Sequence, residues 1–464
     1  MKKLIALILA LCLALPLAAC GGSGAPAQPE RTDAPAETAR PALPTWEHGV
    51  ETLAAPQYPA QVQYPDMNGN TDGNLFEAWS EQQRERRARA DGYAGALDGF
   101  LARSVPQLLA APAGENLVCS PLNVYMALAM LAEVTGGESR AQILALLGAP
   151  DVETLRGRAD ALWSAHYCDD GATASLLANS IWLNQDVGFV PSTTETLAAQ
   201  YRASAFRGEM GSPAFDAALQ GWINEQTAGL LEEQASGLHM DPETILALVS
   251  AICFRAKWSD GFSAQRTAPA VFRRADGTEQ TCDFMHCGRP GEYYWTDRCG
   301  AVQLRLDGGG AMWFLLPDEG VSLEELIADG ETMELLLAGD AWGKSRYMIV
   351  NMAVPKFDVS SDIDLRGDLA ALGVTDVFDP RISDFSPLTA DRDDIYLSAA
   401  RHAARVAIDE EGVVAVAYTV MVAAGGAAPP AEEMDFVLDR PFLFAITGSD
   451  GLPLFVGAVN RPAD

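Results

Sequence analysis

The chain of 464 residues holds 63 acidic residues, five histidines and eight cysteines, ample material for a catalytic or metal centre, yet their spacing builds no known one. A serine hydrolase would need a strained Gly-x-Ser-x-Gly turn, a zinc peptidase a His-Glu-x-x-His helix, and a nucleotide enzyme a phosphate-cradling glycine loop; all three are missing. Cys282, Cys287 and Cys299 could join His286 around zinc, but without the paired C-x2-C knuckles of closed structural sites no metal or other cofactor is expected. In an oxidising compartment one disulfide among these three cysteines is the alternative, with its connectivity open. A different capacity lies in Asp409-Glu-Glu-Gly412 and the uncharged run that follows it to Pro430. Gly412 offers the backbone freedom of a pivot. In an extended stretch the small or β-branched Val413, Ala415, Ala417 and Thr419 would share one face. The chemistry available there is backbone hydrogen bonding, by a segment slim enough to enter a sheet.

The 63 acidic against 32 basic residues leave a formal charge of −31, which repels nucleic acid and anionic bilayers. Met1-Lys-Lys3, the apolar run Leu4 to Leu17 and Leu17-Ala-Ala-Cys20 read as a secretory signal ending in a bacterial lipobox, so residues 1–20 form a lipoprotein signal peptide with Cys20 as the lipidated residue. No later run reaches the roughly 20 apolar residues that span a bilayer, so membrane contact is expected through the lipid alone, on the extracytoplasmic side. Residues 21–75, rich in Pro, Ala and Gly, read as a disordered stalk, because such composition cannot offset its ordering entropy by burial.

The elements that must position the Asp409 to Pro430 segment lie in residues 76–464, one mixed domain without internal repeat. A charged helical lead-in spans Leu75 to Arg89, and an apolar-periodic segment Tyr93 to Leu109. Ser120 caps a buried helix with Pro121 at its first position. Gly136-Gly137-Glu138-Ser139 stops that helix and caps the next, Arg140 to Leu147, which Gly148 ends. Strand-like runs cover 178–183, 246–254, 301–306, 311–316 and 348–354.

Four separated motifs, in order, give the chain its resemblance to the serpin family from about residue 90 to Pro462. Asn116-Leu-Val-Cys-Ser-Pro-Leu-Asn123 is similar to the family's Asn-Ile-Phe-Phe-Ser-Pro-x-Ser, and Trp222-Ile-Asn-Glu-Gln-Thr-Ala-Gly229 to its Trp-Val-x-x-x-Thr-x-Gly. Val249-Ser-Ala-Ile-Cys-Phe-Arg-Ala-Lys-Trp258 resembles a central-strand motif, and Phe436-Val-Leu-Asp-Arg-Pro-Phe-Leu-Phe-Ala-Ile446 fits the C-terminal signature throughout. The resemblance implies an α+β fold of about nine helices around three mainly antiparallel or mixed β-sheets, with an exposed reactive-centre loop and a five-stranded sheet that can accept a sixth strand. Glu410, Glu411 and Gly412 then match the hinge, with Val413, Ala415, Ala417 and Thr419 as its inward face. Sixteen residues beyond Glu410 the bait bond falls at Gly426-Ala427, within a window from Ala423 to Ala428. A latch of Trp258, Lys356 and Glu410 would hold the sheet where it first opens. Ser120, Asn123, Ser250 and His402 match a buried polar cluster beneath the parting strands, with the family's Ser and Asn exchanged between Asn123 and Ser250, so that the amide comes from the helix side.

The function implied is not enzymatic. A serine or cysteine endopeptidase attacks the bait bond, and the freed loop enters the sheet before the acyl-enzyme can hydrolyse. Small residues at the bond point to elastase-like or subtilisin-like partners, with the inhibitor a monomer that risks polymerising by inserting its loop into another chain's sheet. Val414, Val416 and Tyr418, bulkier than the family's usual Ala, slow insertion without forbidding it. The rival reading is a non-inhibitory serpin acting as a surface binding or adhesion module.

Overall fold

The computed structural model describes residues 4–13, 49–65, 73–110, 114–226, 235–338, 342–413, 430 and 432–462. Its strands form two nine-stranded sheets. The first contains β1 (Leu4–Leu13), β2 (Val50–Ala54), β4 (Cys168–Asp169), β5 (Thr173–Asn184), β6 (Ala203–Gly208), β7 (Thr244–Lys257), β13 (Phe357–Asp364), β14 (Ile395–Ile408) and β15 (Gly412–Val413). The second contains β3 (Leu117–Cys119), β8 (Ala268–Arg273), β9 (Glu279–Trp295), β10 (Cys299–Arg305), β11 (Ala311–Pro317), β12 (Ser345–Pro355), β16 (Glu433–Val437), β17 (Phe442–Thr447) and β18 (Pro453–Val459). The strand-like runs read from the sequence fall within these strands, except Leu306, which lies one residue past β10. The expected second and third sheets are joined through β9, whose 17 residues pair β8, β12 and β10 in succession.

Ten α-helices lie among the described residues, including α1 (Gly73–Ala88), α2 (Asp98–Leu108), α3 (Pro121–Val134), α4 (Gly137–Leu147), α5 (Val152–His166), α6 (Pro191–Gln200) and α7 (Pro213–Gln226). Helix α3 is apolar around its whole circumference apart from Asn123 and Glu133, and every residue of it is buried, as befits a helix running beneath the first sheet. Ser120 caps α3, its hydroxyl accepting from the Asn123 amide at 3.2 Å. Gly148 ends α4 in the left-handed region at φ 63°, as expected, and the N-cap is Gly136, at the start of the expected capping stretch, so that the helix begins at Gly137 and Ser139 lies buried inside its first turn.

Across the first sheet the order is β2, β6, β5, β7, then a place shared by β15 and β1, then β14 and β13. Strands β5 and β7 are buried over almost their full length, on both faces, which explains why their sequences read as continuous rather than alternating apolar runs.

In the uncut chain Leu4–Leu13 runs parallel to β7 and β14. One N-terminal expectation needs correction. The stalk expected over 21–75 is too long: β2 adds an edge strand to β6, and the residues after it bind the body. There the Tyr64 amide donates to the Asp170 carbonyl at 2.6 Å, the Gln63 side chain donates to the Asp169 carbonyl at 3.1 Å, and the Tyr64 ring meets Trp79 edge-on. Aromatic and amide side chains supply what Pro and Ala cannot.

Candidate functional site

The hinge is a tight reversal between β14 and β15. Asp409 folds it: its carboxylate accepts from the Glu411 and Gly412 amides at 2.8 and 3.2 Å, and its own amide donates to the Gly412 carbonyl at 3.1 Å. Gly412 and Val413 thereby enter the sheet, pairing with Lys257 and Ala256 of β7 on one side while Val413 pairs with Ile408 of β14 on the other. Val413 is fully buried, so the inward face expected from the alternation begins where it should. Gly412 is required by space more than by backbone freedom, since a Cβ there would lie 2.3 Å from the Ala256 carbonyl oxygen. Ala415, Ala417, Thr419 and the bait bond Gly426-Ala427 lie outside the described residues, as does Cys20.

The structure brings the three latch residues together. Lys356 Nζ lies 2.7 Å from one oxygen of Glu410, and the Thr267 hydroxyl donates to the other at 2.7 Å. Burial would raise the Glu410 carboxyl, but hydrogen bonds from Lys356 and Thr267 outweigh it and hold the group below its ordinary value. Trp258 is buried; its indole donates to the Asp409 carbonyl at 2.9 Å and its amide to the Glu411 carbonyl at 3.0 Å, while Phe262, packed edge-on against it, donates to the Glu410 carbonyl at 2.9 Å. Glu411 behaves oppositely: burial and the neighbouring Asp409 raise its carboxyl, against the pull of Lys257. Thr267 and Asp409 escaped the sequence reading. Nothing in the spacing marks Thr267, 143 positions from its partner, whereas Asp409 carried the signal of an Asp two and three residues ahead of the amides it holds.

The polar cluster under the sheet is assembled and fully buried. The Ser120 amide donates to His402 Nε2 at 2.9 Å, so the ring accepts there and carries its proton on the other nitrogen. Asn123 Nδ2 donates to the Ser250 carbonyl at 3.0 Å, and the Ser250 hydroxyl returns a bond of 2.5 Å to Asn123 Oδ1. The amide thus rises from α3 and spans to β7. His402 serves here as a structural acceptor for the backbone at the start of α3.

No disulfide links Cys282, Cys287 and Cys299 in this structure. All six cysteines from Cys119 to Cys299 are free thiols. Cys282 and Cys287 stand on one extended strand, about 16 Å apart at the rise of a β-strand, far beyond the reach of a disulfide. Cys299, on β10, lies beside the far end of β9, next to Thr296. Among the described residues no group of three His, Cys, Asp or Glu side chains could hold a metal ion.

Known proteins resemble the chain over most of its length. A family model described as serpin, serine protease inhibitor, matches residues 96–462. The human leukocyte elastase inhibitor is 31% identical over 381 residues, covering 79% of this chain and 97% of its own length. Serpin-Z2B of Triticum aestivum is 27% identical, covering 75% of this chain and 90% of its own. Among solved structures, the native state of the thermophilic serpin tengpin superposes with a TM-score of 0.69 at 26% identity, over 79% of this chain and 94% of that one. The thyroxine complex of thyroxine-binding globulin superposes at 0.67 and 22% identity, over 79% of this chain and all of that one, a likeness of fold alone.

Proposed function

The chain belongs to the serpin family, and we propose that within it the protein is a single-use inhibitor of serine endopeptidases, with cysteine endopeptidases as a further class, that traps its target by inserting the cleaved reactive loop into the first sheet. The observation that carries this is the hinge: Gly412 pairs with β7 and Val413 with both β7 and β14, so the strand that insertion would extend has already begun. Fourteen residues inserted at about 3.3 Å each would carry an attached protease about 46 Å along the sheet. New ladder hydrogen bonds and apolar burial drive the step, so the uncleaved state must be metastable and protected by its rate of change rather than by its depth. The latch of Lys356, Thr267 and Trp258 around Glu410 guards the entry, and the cluster of Ser120, Asn123, Ser250 and His402 ties the strands lower down.

The bait bond is assigned to Gly426-Ala427, and the target to an elastase-like or subtilisin-like protease whose pocket takes small side chains. The lipid on Cys20 would hold the mature protein to the outer face of the cell membrane as a monomer. Incubation with elastase and with subtilisin tests this: a protease adduct that survives SDS, and a released fragment beginning between Ala423 and Ala428 by mass spectrometry, are the expected results. Loop cleavage without adduct would favour the surface binding module instead, a reading to which the bulky Val414, Val416 and Tyr418 lend some weight.

A further inference from the structure

The chain leaving the reactive loop enters the second sheet as β16, parallel to β12, which in turn lies antiparallel to β9. Side chains directly opposite one another share a face, so register sets what the outer side of these three strands presents. Glu433 stands across Ile349 from Pro290, Asp435 across Asn351 from Gly288, Val437 across Ala353 from His286, and Tyr347 beside Glu292. Alternation along β16 agrees: Glu433, Asp435 and Val437 are exposed, while Phe436 between them is buried. Tyr347 is 58% exposed and Val437 40%, so the face carries two large apolar side chains in water. Glu292, Glu433 and Asp435 form no ion pair among the described residues; Glu433 and Asp435 instead share one donor, the Asn351 side-chain amide, at 3.4 and 3.1 Å. Arg346, on the same strand as Tyr347, is already paired with Glu432 at 2.9 Å. A Cβ on Gly288 would meet Asn351 Oδ1 at 2.7 Å, so glycine keeps this part of the face flat.

We propose that this face docks the target protease, and that the target carries basic residues beside its active-site cleft. This rests on the inhibitory reading above. Glu433 follows Ala427 by six positions, at most about 22 Å of extended chain. A protease domain of about 200 residues is roughly 40 Å across, so one held at the bait bond overhangs β16 and β12. Tyr347 lies toward the end of β12 from which the loop arrives, two residues before the level of Glu433. An exposed aromatic ring of this kind is a good anchor for a protein surface, being large, stiff and apolar with one polar tip. The three carboxylates add direction: charge of one sign, uncompensated locally, speeds encounter with the opposite sign and slows encounter with its own. The two parts of the molecule then divide the choice of target. Small residues at the bait bond admit elastase-like and subtilisin-like enzymes alike, and the face selects the cationic ones among them.

The test measures the second-order rate of SDS-stable adduct formation with an elastase of basic isoelectric point, at low and at high salt. Two full-length variants carry the same change of charge. Glu433→Lys, Asp435→Lys alters the face; Glu209→Lys, Glu243→Lys alters exposed residues next to Gly208 and Thr244, at the end of the first sheet remote from the hinge. At low salt the face variant should form adduct about tenfold more slowly than the unaltered chain, with the gap closing at high salt, while the remote variant stays close to the unaltered rate. Tyr347→Ala should lower the rate at both salt concentrations. Succinylating the lysines of the same elastase, with rates normalised to its turnover of a small chromogenic substrate, needs no variant: it should slow adduct formation by the unaltered chain. A face variant as fast as the unaltered chain would overturn the proposal, as would a remote variant slowed equally or a rate indifferent to succinylation. Loop cleavage without adduct, at rates following the expected order, would uphold the docking face and refute protease trapping.

Discussion

Lys356 Nζ and Glu410 Oε2 stand 2.7 Å apart at the mouth of the first sheet, across from the Thr267 hydroxyl on the same carboxylate. The carboxyl's pKa is held below its ordinary 4.5, so the latch contributes fully above that pH and is lost as pH falls below it. Lys356 is over a third exposed, so solvent screening leaves Glu410→Gln a loss of only about 1 kcal/mol. Incubation of that variant at neutral pH, and of the unaltered chain below pH 4.5, should each speed the appearance of ladders on native gels. Unchanged rates in both would show that the pair does not guard the hinge.

Glu411 supplies the control of opposite sign. Its carboxyl is raised, chiefly by burial, so its charge opposes the folded hinge as pH rises through and above 4.5. Glu411→Gln should therefore slow polymerisation at neutral pH, measured by the same native gels.

Asn123 and Ser250 each lose a buried partner when the other is removed. Asn123→Ala should cost about 1 to 3 kcal/mol in denaturant midpoint, more than a surface change. Ser250→Ala leaves the carbonyl bond from Asn123 in place and should cost less. The double variant should fall short of the sum by about 0.5 kcal/mol or more, as expected of bonded neighbours, and strict additivity would show that the bond contributes nothing.

Gly412→Ala places a methyl group against the Ala256 carbonyl. Overpacking of this kind costs about 1 to 3 kcal/mol, relieved most cheaply here by withdrawing β15 from the sheet. The variant should keep its circular dichroism spectrum but give less SDS-stable adduct with subtilisin. Undiminished adduct would mean that the hinge does not need the close approach.

The thiols should remain free. Burial pushes Cys168 up to about 12 and Cys282 up to about 11, so neither is a ready nucleophile at neutral pH. Peptide mapping without reductant should find no cross-link among the six cysteines from Cys119 to Cys299, and alkylation of Cys168 should await denaturation.

The family signatures, the capped helix after Ser120, the runs that became β5, β7 and β11, and the Glu410-Glu411-Gly412 hinge were all legible in the sequence, because each is set by local periodicity, capping or a contiguous motif. The pairing of Lys356 with Glu410 and the exchange of Asn123 for Ser250 were legible only by resemblance. Thr267 joined the latch through a fold that brings together residues 143 positions apart, which no local pattern encodes. The space at Gly412 and the separation of Cys282 from Cys287 depend on strand register and extension, and so were decided only in three dimensions.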